Sequence, residues 1–150
     1  MNWDRIIKAA AAIGGAIAGL MGEWNALLTI LMVAMATDYI TGLIVAACGR
    51  SPKTEGGKLS STAGFIGLAK KAVIVTVVLL ATLLDRAIGS ESMIFQSAAT
   101  CYYIANEGLS ILENAALLDV PIPKKLRAAL EAMKDKGDQD DKPPDDMDDL

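Results

Sequence analysis

The sequence contains no histidine. Without an imidazole there is no Ser-His-Asp or Cys-His pair, no histidine metal ligand, and no side chain that ordinarily changes charge near neutral pH. Cysteine is almost as scarce. Cys48 and Cys101 stand far apart and neither belongs to a C-x-x-C pair, so zinc and thiol-redox motifs have no candidate. Each reads as a small buried hydrophobe inside an apolar run. Neither G-x-x-x-x-G-K-[ST] nor G-x-G-x-x-G occurs, which removes the usual phosphate-cradling loops. These absences argue against an enzyme and imply no cofactor and no metal.

An excess of basic charge is missing as well. The formal net charge is −4 over 150 residues, but nine of the 18 acidic residues follow Leu130. Residues 1–130 hold eleven Lys and Arg against nine acids. The acidity therefore belongs to a tail, and a nucleic-acid partner has no support in the charge pattern.

Long apolar runs are what the chain does have. A helix needs about 20 largely apolar residues to cross a hydrocarbon core of about 30 Å. Four stretches approach that length: 6–22, interrupted by Lys8; 26–47, with Asp38 as its one charge; 65–89, with Lys70 and Lys71 near its start; and 93–118, uncharged as far as Asn106. Helices of a soluble bundle carry a polar face repeating every three or four residues. Residues 26–36 (ALLTILMVAMA) and 74–84 (IVTVVLLATLL) show none. A chain this small cannot hide two such helices from water. The predicted fold is all-α and multi-pass in a lipid bilayer, with four transmembrane helices, or three if the short Ala/Gly-rich first run does not cross.

Charge placement orients these spans. The middle loop carries Arg50, Lys53 and Lys58, and Lys70 and Lys71 extend its positive character. Lys124, Lys125 and Arg127 follow the fourth run, whereas the two short turns near Glu23 and Glu91 are poor in basic residues. Short cytoplasmic loops accumulate Lys and Arg, so the pattern predicts both termini in the cytoplasm. Residues 1–130 form the expected membrane domain. Two prolines in Val120-Pro121-Ile122-Pro123 break the fourth run. A brief amphipathic helix is expected over 124–133, and the acidic tail within 131–150 is expected to be disordered.

Polar and small residues inside the runs are the candidate functional positions. The first run places Ala10, Gly14, Ala18 and Gly22 at every fourth position, and Gly15 and Gly19 form a G-x-x-x-G. Such spacing lets helix backbones approach closely in lipid, which reads as a packing seam within or between molecules. Asp38, flanked by Thr41, costs roughly 2.5–3.5 kcal/mol at a bilayer centre on insertion scales. It must face protein, water or an interface, either as a pore-facing or subunit-pairing carboxylate or as a helix-packing hydrogen bond. In the fourth run, Tyr103, Asn106, Glu107, Ser110, Glu113 and Asn114 fall within an arc of about 120°. That face suits water inside an assembly, or the headgroups if the helix end lies flat. The six-residue spacing rotates Glu113 by about 240° from Glu107, which leaves them at opposite edges of that arc, and they do not form an acid/base pair.

Several blocks of residues follow a recurring order: Asp38-Tyr39-Ile40-Thr41-Gly42; Ser60-Ser61; then 64–71 (GFIGLAKK); 106–114 (NEGLSILEN); and Pro121-Ile122-Pro123-Lys124-Lys125-Leu126. In this they resemble the phage holins related to the toxin-secretion holins of clostridia. Asp119 departs from the pattern, standing where glycine is expected before Pro-x-Pro. The resemblance implies a small protein of the bacterial cytoplasmic membrane that homo-oligomerises and permeabilises it, so that an endolysin reaches the peptidoglycan. An antiholin partner, a toxin-secreting relative, or an inhibitor of a holin lies within the same resemblance. A narrow ion channel or transporter using Asp38 and Glu107 is the alternative from another class.

Overall fold

The structure, a computed structural model, describes residues 3–139. Among these are five α-helices and no strand: α1 (Trp3–Met21), α2 (Ala26–Ala47), α3 (Ser61–Ala87), α4 (Ile94–Leu117) and α5 (Lys124–Gln139), with one 3₁₀ turn at Glu55–Gly57. Local chemistry sets most of the boundaries. The Asn25 side chain accepts the N–H of Leu28 at 2.9 Å and starts α2. Ser60 accepts the N–H of Ala63 and starts α3, four residues before the expected position 65. A polar N-cap satisfies one of the donors that the first helical turn leaves free, and this one extends α3 to 27 residues.

One kind of stop closes three helices. Gly49 after α2 and Gly89 after α3 adopt positive φ, and the next N–H returns to a carbonyl five residues back, Arg50 to Val45 and Ser90 to Asp85. Glycine takes this left-handed conformation without a Cβ penalty. At the end of α4 the same turn is made by Asp119, at φ 62, with Val120 N–H bonded to the Ala115 carbonyl. This geometry explains why glycine is expected there. Aspartate is among the few other residues that tolerate it.

Helix α4 is the centre of the packing, against α2 and α3 on one side and α5 on the other, while α1 leans on α3. A small apolar core joins Met21, Leu28, Leu31, Met35 and Val78, with Ile17, Ile74, Leu79 and Ile104 packed around it. Many large apolar side chains point away from that core. Val78 on α3 is 0% exposed while Val73 is 61% exposed, and Ile30, Val33, Ile40 and Leu80 also face outward. Soluble monomers rarely carry a continuous apolar exterior. Helices α2 and α3 are each long and apolar enough to cross a membrane.

The C-terminal helix corrects the expected boundary. α5 continues through Gln139, beyond Leu130 where the tail was expected to begin and beyond Met133 where the helix was expected to end. Ala, Leu, Glu, Met and Lys all favour helix, and the half-buried Leu130, Met133 and Lys134 hold that stretch together. The remaining acidic residues, 140–150, lie outside the described residues.

Candidate functional site: a buried polar seam

Gln96, Thr100, Tyr103, Glu107, Ser110 and Asn114 succeed one another along α4 at alternating intervals of four and three residues. That spacing keeps them on one face of a helix. The face is turned inward: Gln96, Thr100, Glu107 and Asn114 are buried, and Tyr103 and Ser110 are half-buried. At 1.5 Å per residue the stripe runs about 27 Å, close to the thickness of a hydrocarbon core. The three-helix packing is thus polar along a line inside and apolar outside.

Two layers close the seam. In the first, Lys71 of α3 lies between carboxylates of α2 and α4. Its Nζ donates to Asp38 Oδ2 at 2.8 Å and to Glu107 Oε2. The Asn114 amide donates to Thr41 Oγ1 at 3.0 Å and to Asp38 Oδ1 at 3.2 Å. Side-chain exposure is 11% for Lys71, 14% for Asp38 and 6% for Glu107. Charges this shielded must be paired and hydrogen-bonded to persist, and here one cation is shared by two anions. A cavity of about 270 Å³ opens beside this layer toward the 48–60 loop, lined by Asp38, Lys71, Asn106, Glu107 and Ser110.

In the second layer, near the other end of α4, the carboxylate is that of Asp85 on α3. It accepts the backbone N–H groups of Gln96 at 2.7 Å and Phe95 at 3.1 Å. Met93, the residue preceding α4, has no side-chain oxygen to cap it, so Asp85 caps the helix from outside. Gln96 donates to Thr82 Oγ1 at 2.8 Å and accepts from Asn25 Nδ2 at 3.0 Å. Among the described residues no buried side-chain nitrogen or oxygen lacks a hydrogen-bond partner.

The structure therefore brings Asp38, Thr41, Glu107 and Asn114 together and places Asn106 and Ser110 at the adjoining cavity. Glu113 is exposed and stands apart from the seam. Lys71, expected to be a free cytoplasmic cation, is instead neutralised inside the packing. The early start of α3 carries it into the helix interior, while Lys70 next to it stays exposed. Lys53, Lys58, Lys124 and Lys125 are exposed and Arg127 is half-buried. Arg50 donates to the Leu117 carbonyl at 2.9 Å and to Asp119 at 2.5 Å, and the hydrogen bond to the Asp119 carboxylate holds the guanidinium pKa above its usual value.

On α1, Ala10 and Ala18 are exposed, and a Cβ at Gly14, Gly15 or Gly19 would meet nothing within 4 Å. Gly22 departs from that stripe. It turns the chain at φ +80 against the Arg86 guanidinium, which is the role of a helix stop. The sequence reading missed Gln96, Thr100, Thr82, Asn25 and Asp85. The four-three spacing on α4 was a signal for the first two.

The chain is 38% identical over 125 residues to a 14.9 kDa protein in the nagH 3′ region of Clostridium perfringens, covering 83% of this chain and 89% of that one. It is 35% identical over 145 residues to the protein Lin0175 of Listeria innocua, covering 95% and 98%. A probable holin of Bacillus phage phi105 is 32% identical over 112 residues, covering 75% and 77%. No solved structure matches the chain. The sequence model of the bacteriophage holin family matches residues 15–135, and the chain belongs to that family.

Proposed function

We propose that this protein permeabilises the bacterial cytoplasmic membrane by turning its α4 seam from protein toward water. The observation that carries the proposal is the inverted packing: a polar line about as long as a bilayer core is thick, buried within helices whose exteriors are apolar. In a single copy the seam is satisfied by α2 and α3. Copies assembled side by side would exchange those contacts for water along a shared opening, ending the need to shield the stripe from lipid. Four spans, α1 to α4, with both termini in the cytoplasm accord with the loop charges, and residues 1–130 make up the membrane domain. The unoccupied small-residue face of α1 supports its use as a contact between copies. The opening would let an endolysin reach the peptidoglycan.

The test is expression of the chain alone and together with an endolysin, following membrane potential and culture turbidity. The expected outcome is growth followed by abrupt depolarisation, then lysis only when endolysin is present. Replacing Gly15 and Gly19 by Leu should shift the onset at matched protein levels. Correct insertion without depolarisation would point to an inhibitory partner of a holin. Depolarisation with the endolysin retained would point to a narrow ion channel.

A further inference from the structure

We infer that the cleft between the 49–60 loop and the first turns of α3 binds a membrane phospholipid through a negatively charged headgroup. This inference rests on the reading that α2 and α3 cross the bilayer, which sets the loop between them at headgroup level. The cleft has a volume of about 520 Å³, with Lys53, Lys58 and Lys70 lining it. Glu55 is the one acid among its lining residues. None of the three lysines has a carboxylate within 4.0 Å among the described residues, so none of them is held in a direct ion pair there. The start of α3 adds to this field. Ser60 takes the N–H of Ala63, and the N–H groups before it have no partner within the helix, so the positive end of the helix dipole lies at the cleft.

Shape distinguishes a lipid from a free anion. Ser60, Ala63, Gly67 and Lys70 recur along one face of α3, and the two smallest leave a groove rather than a ridge. Its wall is apolar and open: Leu59 is 61% exposed and Ile66 is 50% exposed. Inorganic phosphate gains nothing from that wall, whereas the glycerol and upper acyl chain of a lipid cover it. Lysine is suited to such a site because its long apolar stem lies along the groove while its ammonium reaches the phosphate. Basic pockets of this kind between membrane helices on the cytoplasmic side recognise anionic headgroups.

The experiment uses the full chain in neutral detergent micelles, titrated with phosphatidylglycerol or phosphatidylcholine and read by native mass spectrometry for retained lipid. The expected result is preferential retention of phosphatidylglycerol by roughly tenfold. K53Q/K58Q/K70Q should bring retention down to the phosphatidylcholine level, while K53R/K58R/K70R and the α5 control K124Q/K125Q should keep it. Equal retention of the two lipids by the native chain would overturn the inference, as would unchanged retention in the triple Gln variant. Complete displacement of phosphatidylglycerol by millimolar inorganic phosphate would also overturn it, making the cleft a free-anion site. Flotation of the native chain with phosphatidylcholine vesicles separates the two readings. Loss of flotation sinks the membrane reading itself, whereas flotation with equal lipid retention sinks only the lipid site.

Discussion

Asp85 and Glu107 are buried carboxylates in the same three-helix packing, 0% and 4% exposed, but they are satisfied by different kinds of partner. Asp85 is held by two backbone N–H groups at the start of α4. Those donors are fixed to the helix end and no other copy can replace them without unwinding it. Glu107 and Asp38 are held by the side chain of Lys71, a flexible ammonium that another carboxylate can capture. One layer is a permanent joint between α3 and α4. The other is an exchangeable contact among three helices, and it adjoins an open cavity. If the seam opens on assembly, the physical chemistry favours its opening at the Lys71 layer while the Asp85 joint stays closed.

The largest effect should come from Lys71→Met, which leaves two carboxylates facing each other with no cation. Removing one partner of a buried ion pair costs about 3–5 kcal/mol. We expect a markedly lower thermal unfolding temperature in detergent, and, in cells, earlier depolarisation at matched protein levels. The variant D38N/K71M/E107Q, with all three charges gone, should recover most of the lost stability. Recovery separates charge imbalance from lost packing, and its absence would remove the charged layer from the account.

Asp85→Ala should come next, at about 1–3 kcal/mol for leaving two buried N–H groups without an acceptor. Asp85→Asn should cost less, because its carbonyl oxygen still accepts one of them. Unlike Lys71→Met, neither change should advance the onset of depolarisation, since neither touches the exchangeable layer. Earlier onset in both series would erase the distinction between the two ends.

How far the sequence reveals this arrangement depends on the distance over which each contact acts. The helices are legible because apolar runs and N-caps are local: α2 occupies 26–47 as expected. The lower part of the α4 stripe is legible from its 100° periodicity. Its upper part, Gln96 and Thr100, lies in a stretch without charge and is easily passed over. Lys71 is not legible. Its partners stand 33 and 36 residues away, and loop-charge counting assigns any lysine near a helix start to the cytoplasm. The cap by Asp85 is hidden for a similar reason, since the N–H groups it accepts lie ten and eleven residues later. The extension of α5 to Gln139 is masked by composition, because charge density suggests disorder even where residues with high helix propensity and the half-buried Leu130 and Met133 support a helix.

The smallest effect expected within the seam is that of Thr100→Val, and it tests whether burial of a polar group is enough to make it part of the contact between helices. Thr100 is 0% exposed, as deeply buried as Asp85. Its hydroxyl, however, donates at 2.6 Å to the carbonyl of Gln96 one turn earlier on its own helix. That carbonyl is also within reach of the helix's own i to i−4 hydrogen bond, so removing the hydroxyl leaves it satisfied. Valine preserves the branched shape, and the change should shift stability by no more than about 0.5–1 kcal/mol. Neither the onset of depolarisation nor the pairing of α4 with α2 and α3 should alter. A loss as large as that for Asp85→Ala would mean that the hydroxyl serves a neighbouring helix, and the seam would then be a continuous interhelical network with no inert level between its two closing layers.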